Sequence, residues 1–176
     1  MKRNKYSIYS LFDIFLCAIG KEKAYRDYGH DIDGTDTLLE AGLGFTCDFQ
    51  KKEGFIGMEA VLEQKETAKE RGGLQRKMVQ VLVQDKEPLL SHGEIIWRNG
   101  SRIGDIRAGS YGHTLQGAVG LSLIDAAASR GESDVVNKNF IATGDWEIEI
   151  ADRTYPIQLS FLPLYDPKGS RVKVIV

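Results

Sequence analysis

The chain has 176 residues, 23 Lys or Arg against 25 Asp or Glu, and a formal net charge of −2. That length suits one domain with a real core, or one domain plus a piece of another. Near-neutral, mixed-sign charge gives no electrostatic case for nucleic acid or an anionic membrane surface. Two cysteines, Cys17 and Cys47, cannot build a disulfide framework, and a reducing compartment suits them. His30, His92 and His113 lie far apart without ligand spacing, so no metal site is expected.

In chain order, residues 1–20 come first, with a basic start and then an apolar run. The run is too short to span a membrane, and Asp13 interrupts it. It has no clear small-x-small cleavage site of a signal peptide. Ile8, Leu11, Phe12, Phe15 and Leu16 form one stripe if the segment is helical. Glu22 to Thr37, rich in Asp, Gly and Thr from Asp31 on, then reads as an irregular loop. Phe45, Cys47 and Phe49 alternate with Thr46 and Asp48, which predicts a half-buried strand. Lys51-Lys52-Glu53-Gly54 is its turn. From Gly57, the spacing of Met58, Val61, Leu62 and Lys65 predicts an amphipathic helix ending near Arg71-Gly72-Gly73.

Beyond Leu74 the pattern is all-β. Met78 to Gln84 is a Val-rich strand. Asn99-Gly100, between Ile95–Arg98 and Ser101–Arg107, is a hairpin signal because both turn residues accept positive φ. Ala118–Ile124 reads as a buried strand, 126–133 as a loop and Val135–Phe140 as a short strand. Trp146, Ile148 and Ile150, then Tyr155, Ile157, Leu159 and Phe161, give a second hairpin. Val172–Val176 is a possible closing strand. Short strands at this spacing predict a small antiparallel barrel, and Trp97 is expected in its core. No nucleophile–base constellation and no phosphate-cradling loop can be assembled from these residues. Residue physics alone therefore stops at an α+β piece with a β-barrel.

Several motifs carry a resemblance. Leu39-Glu40-Ala41-Gly42-Leu43 and Phe55-Ile56-Gly57-Met58-Glu59-Ala60 resemble the aminomethyltransferase family, the glycine-cleavage T-protein and its relatives. Glu22-Lys23-Ala24-Tyr25-Arg26-Asp27-Tyr28-Gly29-His30-Asp31 is most similar to the folate domain of sarcosine and dimethylglycine dehydrogenases. In the barrel, Trp97–Gly100, Ser110–Leu115 and Pro163–Arg171 resemble the same branch. The resemblance implies a remnant of a central folate-binding domain at 21–73 and the family's C-terminal barrel at 74–176. Residues 1–20 do not follow the family pattern, with Gly20 at the place of a family Arg, and are expected to be a substituted start.

The resemblance also implies chemistry, namely tetrahydrofolate-dependent capture of an amine-derived one-carbon unit. Glu22 matches the family's pterin-side glutamate, a carboxylate suited to adjacent N–H donors. Lys51 matches an Arg and keeps its charge but not its planar fork. Tyr28 matches a ring expected on pterin or core, and Arg171 is an anion partner for the folate tail. The family's catalytic Asp belongs to its N-terminal half, and FAD to a domain missing here, so no catalytic residue is assigned. Expected partners are folate, the one-carbon unit, and the missing N-terminal half or a partner subunit. The cytoplasm is implied for a bacterial chain and the mitochondrial matrix for a eukaryotic one. Three readings stay open: part of an enzyme, a non-catalytic module like the pyruvate dehydrogenase phosphatase regulatory subunit, or a fragment without function of its own.

Overall fold

Six antiparallel strands close on themselves in the structure, a computed structural model that describes residues 17–131, 133–171 and 173. They are β1 (Arg76–Val83), β2 (Ile95–Arg98), β3 (Ser101–Gly112), β4 (Gly117–Asp125), β5 (Trp146–Ile150) and β6 (Arg153–Ser160). Around the barrel the order is β1-β4-β3-β2-β5-β6, and β6 pairs with β1. Hairpins join β2 to β3, β3 to β4 and β5 to β6. The other two links, 84–94 and 126–145, cross opposite ends of the barrel, which makes a Greek key. The expected antiparallel barrel is therefore present.

Turn chemistry accounts for the hairpins. Asn99 and Gly100 have φ of 48° and 74°, the doubly left-handed turn whose twist matches its strands. Ala151 and Asp152 do the same between β5 and β6 at 50° and 61°, without a glycine.

Strand parity then sorts the side chains. Val79, Val81 and Val83 of β1 pack with Ile96, Ile103, Ile106, Ala118, Ile124, Ile148 and Ile157 in one core. Met78 of β1 with Leu121 and Leu123 of β4 forms a second cluster, closed by Ala24 and Ile32. β1 and β4 are thus buried on both faces, because the 21–43 segment covers the outer one. This explains why they read as near-continuous apolar runs.

The barrel interior is filled at both ends. At one, Leu90 enters over Gly109 and Gly120. A Cβ on Gly109 would lie 2.7 Å from the Leu90 Cγ, and one on Gly120 2.8 Å from its Cδ2. At the other end lie Phe140 and Trp146, edge to face at 5.7 Å, with the Arg98 guanidinium 4.3 Å over the Phe140 ring. Small barrels are packed this way rather than left as channels.

Three expectations change. The strand at Phe45–Phe49 is a 3-10 turn at Gly44–Thr46 followed by further turns. A closed barrel offers no edge for another strand to pair with, and Gly42 at φ 72° bends the chain here. Val135–Phe140 is no strand either. Val136 makes a single bridge to Leu74, and Asn137 caps a short helix by accepting from the Phe140 N–H at 2.9 Å. Trp97 is half-buried rather than core, since Ile96 and Arg98 take the inward positions of β2. Its indole N–H donates to Glu149 Oε2 at 2.9 Å.

The helix from Gly57 forms as expected, as α1 (Met58–Arg71), and α2 is Lys138–Ala142. Left-handed Gly57 and Gly72 flank α1. None of the α1 residues is fully buried, although Met58 and Val61 are half-buried and Lys65 Nζ lies 4.6 Å over the Phe49 ring. The stripe at Ile8–Leu16 lies outside the described residues, as does most of 172–176. The barrel closes through β6 on β1.

Candidate functional site

The outer face of β1 positions the site. Gln80 sits in a run of valines, yet its side chain faces away from the barrel core that Val79 and Val81 enter. It is 1% exposed and fully used. Nε2 donates to the carbonyls of Lys21 at 2.7 Å and Glu22 at 3.0 Å. Oε1 accepts from the Leu164 N–H at 2.5 Å. One amide thus fastens the segments before and after the barrel to the same strand.

Glu22 ends a helical turn at 17–22 and is 4% exposed. Its Oε1 accepts from the N–H groups of Thr114 at 2.7 Å and Leu115 at 2.8 Å, in the β3–β4 turn. Gly112 makes room, because a Cβ there would sit 3.0 Å from Oε1. The two lone pairs of Oε1 are then taken. Oε2 accepts from no group among the described residues.

Charge pairs surround this point. Lys21 Nζ donates to both Asp31 oxygens at 2.6 Å, and Asp31 also accepts from the Asp27 N–H at 2.8 Å. Pairing of this quality is what makes a buried ammonium tolerable. Lys23 Nζ donates to Asp166 Oδ2 at 2.7 Å and lies 4.9 Å over the Tyr165 ring. That ammonium, then the Ser170 and Arg171 donors, hold the Asp166 carboxyl at about 2, below its ordinary 3.8. Arg26 donates to the Ala41 carbonyl at 3.0 Å, and burial pushes its guanidinium below the usual range.

A second cluster fastens 33–40 to the barrel rim. The enclosed Asp36 carboxylate meets Arg76 at 3.1 Å and Arg107 at 3.5 Å, and Glu40 meets Arg76 at 3.3 Å. Arg107 is the extra residue of a β-bulge, since Ile106 pairs with Ser122 and Ala108 with Leu121. The bulge turns its side chain out toward Asp33 and Asp36.

The four residues singled out from sequence are not all brought together. Glu22 and Arg171 share a neighbourhood through Lys23 and Asp166. Arg171 is exposed, with its guanidinium 5.6 Å from the Tyr165 ring centroid. Tyr28 is 72% exposed, so it is not a core ring. Lys51 lies in an exposed turn, and its ammonium pairs with nothing among the described residues. Gln80, Asp31, Asp36 and Arg107 were missed. Gln80 had a signal, a lone amide inside an apolar strand. The Asp36–Arg76 and Asp36–Arg107 pairs had none, because their members lie 40 and 71 positions apart and share no local motif. Among the described residues no cluster of His, Cys, Asp or Glu could hold a metal, and no helix is long and apolar enough to cross a membrane.

The family model described as the glycine cleavage T-protein C-terminal barrel domain matches residues 76–166. The chain is 35% identical over 158 residues to 4-methylaminobutanoate oxidase (formaldehyde-forming) of Paenarthrobacter nicotinovorans, covering 90% of this chain and 17% of that protein. It is 34% identical over 154 residues to mitochondrial sarcosine dehydrogenase of Homo sapiens, covering 88% and 16%. The chain therefore spans about a sixth of the length of these relatives. The crystal structure of glycine cleavage system aminomethyltransferase T from Bartonella henselae superposes with a TM-score of 0.64 at 20% identity, over 86% of this chain and 38% of that one. At that identity the likeness speaks for the fold.

Proposed function

Because this chain belongs to the glycine cleavage T-protein family through its C-terminal barrel domain, we propose that it is the C-terminal part of a tetrahydrofolate-dependent aminomethyl transfer enzyme. By itself it is not catalytic. Tetrahydrofolate, when bound, supplies the acceptor for the one-carbon unit. The residues of this chain bind and orient, and none is assigned a proton-transfer step.

Glu22 carries this reading. Its carboxylate is fixed by two backbone donors on Oε1, while Oε2 has no partner among the described residues. An immobilised acceptor on an otherwise enclosed carboxylate suits the N–H edge of a pterin. One oxygen, rather than both, is available to it. Tyr28 offers an exposed ring for stacking, and Lys51 and Arg171 attract the tail carboxylates as exposed charges. The packed barrel interior leaves the ligand outside the barrel, on the face covered by 21–43. The remainder of such an enzyme, or a partner subunit, supplies the other wall. The compartment is the cytoplasm in a bacterium and the mitochondrial matrix in a eukaryote.

Titration of tetrahydrofolate into the purified chain tests this. Weak binding is expected, and Glu22→Ala should abolish it, with unfolding midpoints confirming that both proteins are folded. Binding unchanged by Glu22→Ala rejects the pterin contact. Methylene-tetrahydrofolate formed by this chain alone rejects the non-catalytic assignment.

A second reading is a non-catalytic regulatory module. The donors on Oε1 favour it, because they give Glu22 a purpose in holding the β3–β4 turn without any ligand. A folded chain that binds no folate would support it.

A further inference from the structure

Asp166 makes one bond more than its own turn requires. Its φ of 45° is left-handed, which aspartate tolerates when its carboxylate takes nearby N–H groups. The Ser170 N–H and hydroxyl donate to Oδ1 at 2.8 Å and 2.9 Å. The Arg171 N–H donates to Oδ2 at 3.2 Å. These bonds close the 166–171 turn by themselves. The last donor to Oδ2 is Lys23 Nζ at 2.7 Å, and it comes from 143 positions away. The carboxylate side chain is 4% exposed. All its partners are donors, so the site demands a group that only accepts.

The two ends of this tie are informative. Lys23 follows Glu22, whose Oε1 is held by the Thr114 and Leu115 N–H groups. Arg171 ends the Asp166 turn, with Nη1 at 3.5 Å from the Tyr165 hydroxyl and the guanidinium 5.6 Å from that ring's centroid. Lys23 Nζ lies 4.9 Å over the same ring. Gln80 sets the register of the two segments, since it binds the Lys21 and Glu22 carbonyls and the Leu164 N–H. A continuous set of contacts therefore runs from Glu22 through Lys23 and Asp166 to Arg171.

We propose that Asp166 is a positioning residue that fixes Arg171 relative to Glu22, so that one ligand is held by its N–H edge at Glu22 and by its tail carboxylate at Arg171. This rests on the folate reading above and deepens it. The arrangement favours a pterin that carries an acidic tail over a pterin without one.

Calorimetric titration with tetrahydrofolate, and separately with 6-methyltetrahydropterin, which has the same N–H edge but no tail, tests this. The proteins are the parent, Asp166→Asn, Arg171→Gln and the double variant, each confirmed as folded by its unfolding midpoint. Asp166→Asn should weaken tetrahydrofolate about 3- to 5-fold, the scale of an exposed charge pair. Arg171→Gln should lose the same factor, and the double variant no more than either. The tail-less pterin should bind all of them alike, because Glu22 keeps its Thr114 and Leu115 donors. Lys23→Met leaves the turn its own bonds, so it should reproduce the tail-selective loss, and it decides the matter if Asp166→Asn does not fold. The proposal is overturned by an unchanged tetrahydrofolate affinity, by additive losses in the double variant, or by a loss that falls equally on both ligands. A parent that binds neither ligand rejects the folate reading, and this inference with it.

Discussion

Gln80 shows how much one buried amide can hold. Replacing it with Leu preserves volume but leaves the Lys21 and Glu22 carbonyls and the Leu164 N–H without their partner. Leaving such groups unpaired costs roughly 1–3 kcal/mol. Urea unfolding of Gln80→Leu should show a loss of that size, and an unchanged midpoint would mean that water takes over the contacts. Asp166 makes a different prediction, on pH. Its folded carboxyl titrates at about 2, pulled down first by the Lys23 ammonium, against an ordinary 3.8. The unfolded chain therefore binds more protons between these values, and stability rises with pH across them. The contribution is complete above 3.8 and is lost as pH falls through about 2. Acid unfolding of Lys23→Met should depend less steeply on pH in that window than the parent, and equal slopes would remove the pair from the account.

At the level of elements, the strands and the helices are stabilised by different means. The barrel depends on close approach. A Cβ on Gly120 would meet the Ala108 carbonyl oxygen at 2.9 Å as well as Leu90, and that backbone oxygen cannot swing away. Gly120→Ala should therefore destabilise the chain by about 1–3 kcal/mol, the usual cost of overpacking. Helix α1 buries no residue. Leu62→Glu on its surface should stay within about 0.5 kcal/mol of the parent. Thermal unfolding of the two variants side by side checks both values, and a large effect from Leu62→Glu would reveal a partner for α1.

Over the whole molecule, a closed barrel carries a wrap. Segments 17–43 and 161–171 lie on its outer face, fastened by Gln80, Glu22, Asp31, Asp36 and Asp166. Local stability should follow that layering. Native-state amide exchange should protect β1 and β4, buried on both faces, most strongly. The amides of α1 should exchange through openings of much lower free energy. Equal protection of α1 and β1 would show that the helix is held by more than its own hydrogen bonds.

What the sequence alone determined is the set of local features. Apolar runs marked β1 and β4, period-two alternation marked β5 and β6, and Asn99-Gly100 marked its hairpin, because hydrophobic pattern and positive φ are local properties. The motif around Glu22 pointed to the right family for the same reason, since it is contiguous. Tertiary structure decided the rest. Phe45–Phe49 alternates like a strand, yet the closed barrel has no edge to pair it. Val135–Phe140 became a capped helix because the chain must cross a barrel end. Lys51 and Tyr28 carry suitable chemistry but sit in exposed turns, whereas Gln80 gained its importance only when two distant segments folded against one strand. Partners across 58, 59 and 84 positions of chain are set by the folded topology, and no local pattern encodes them.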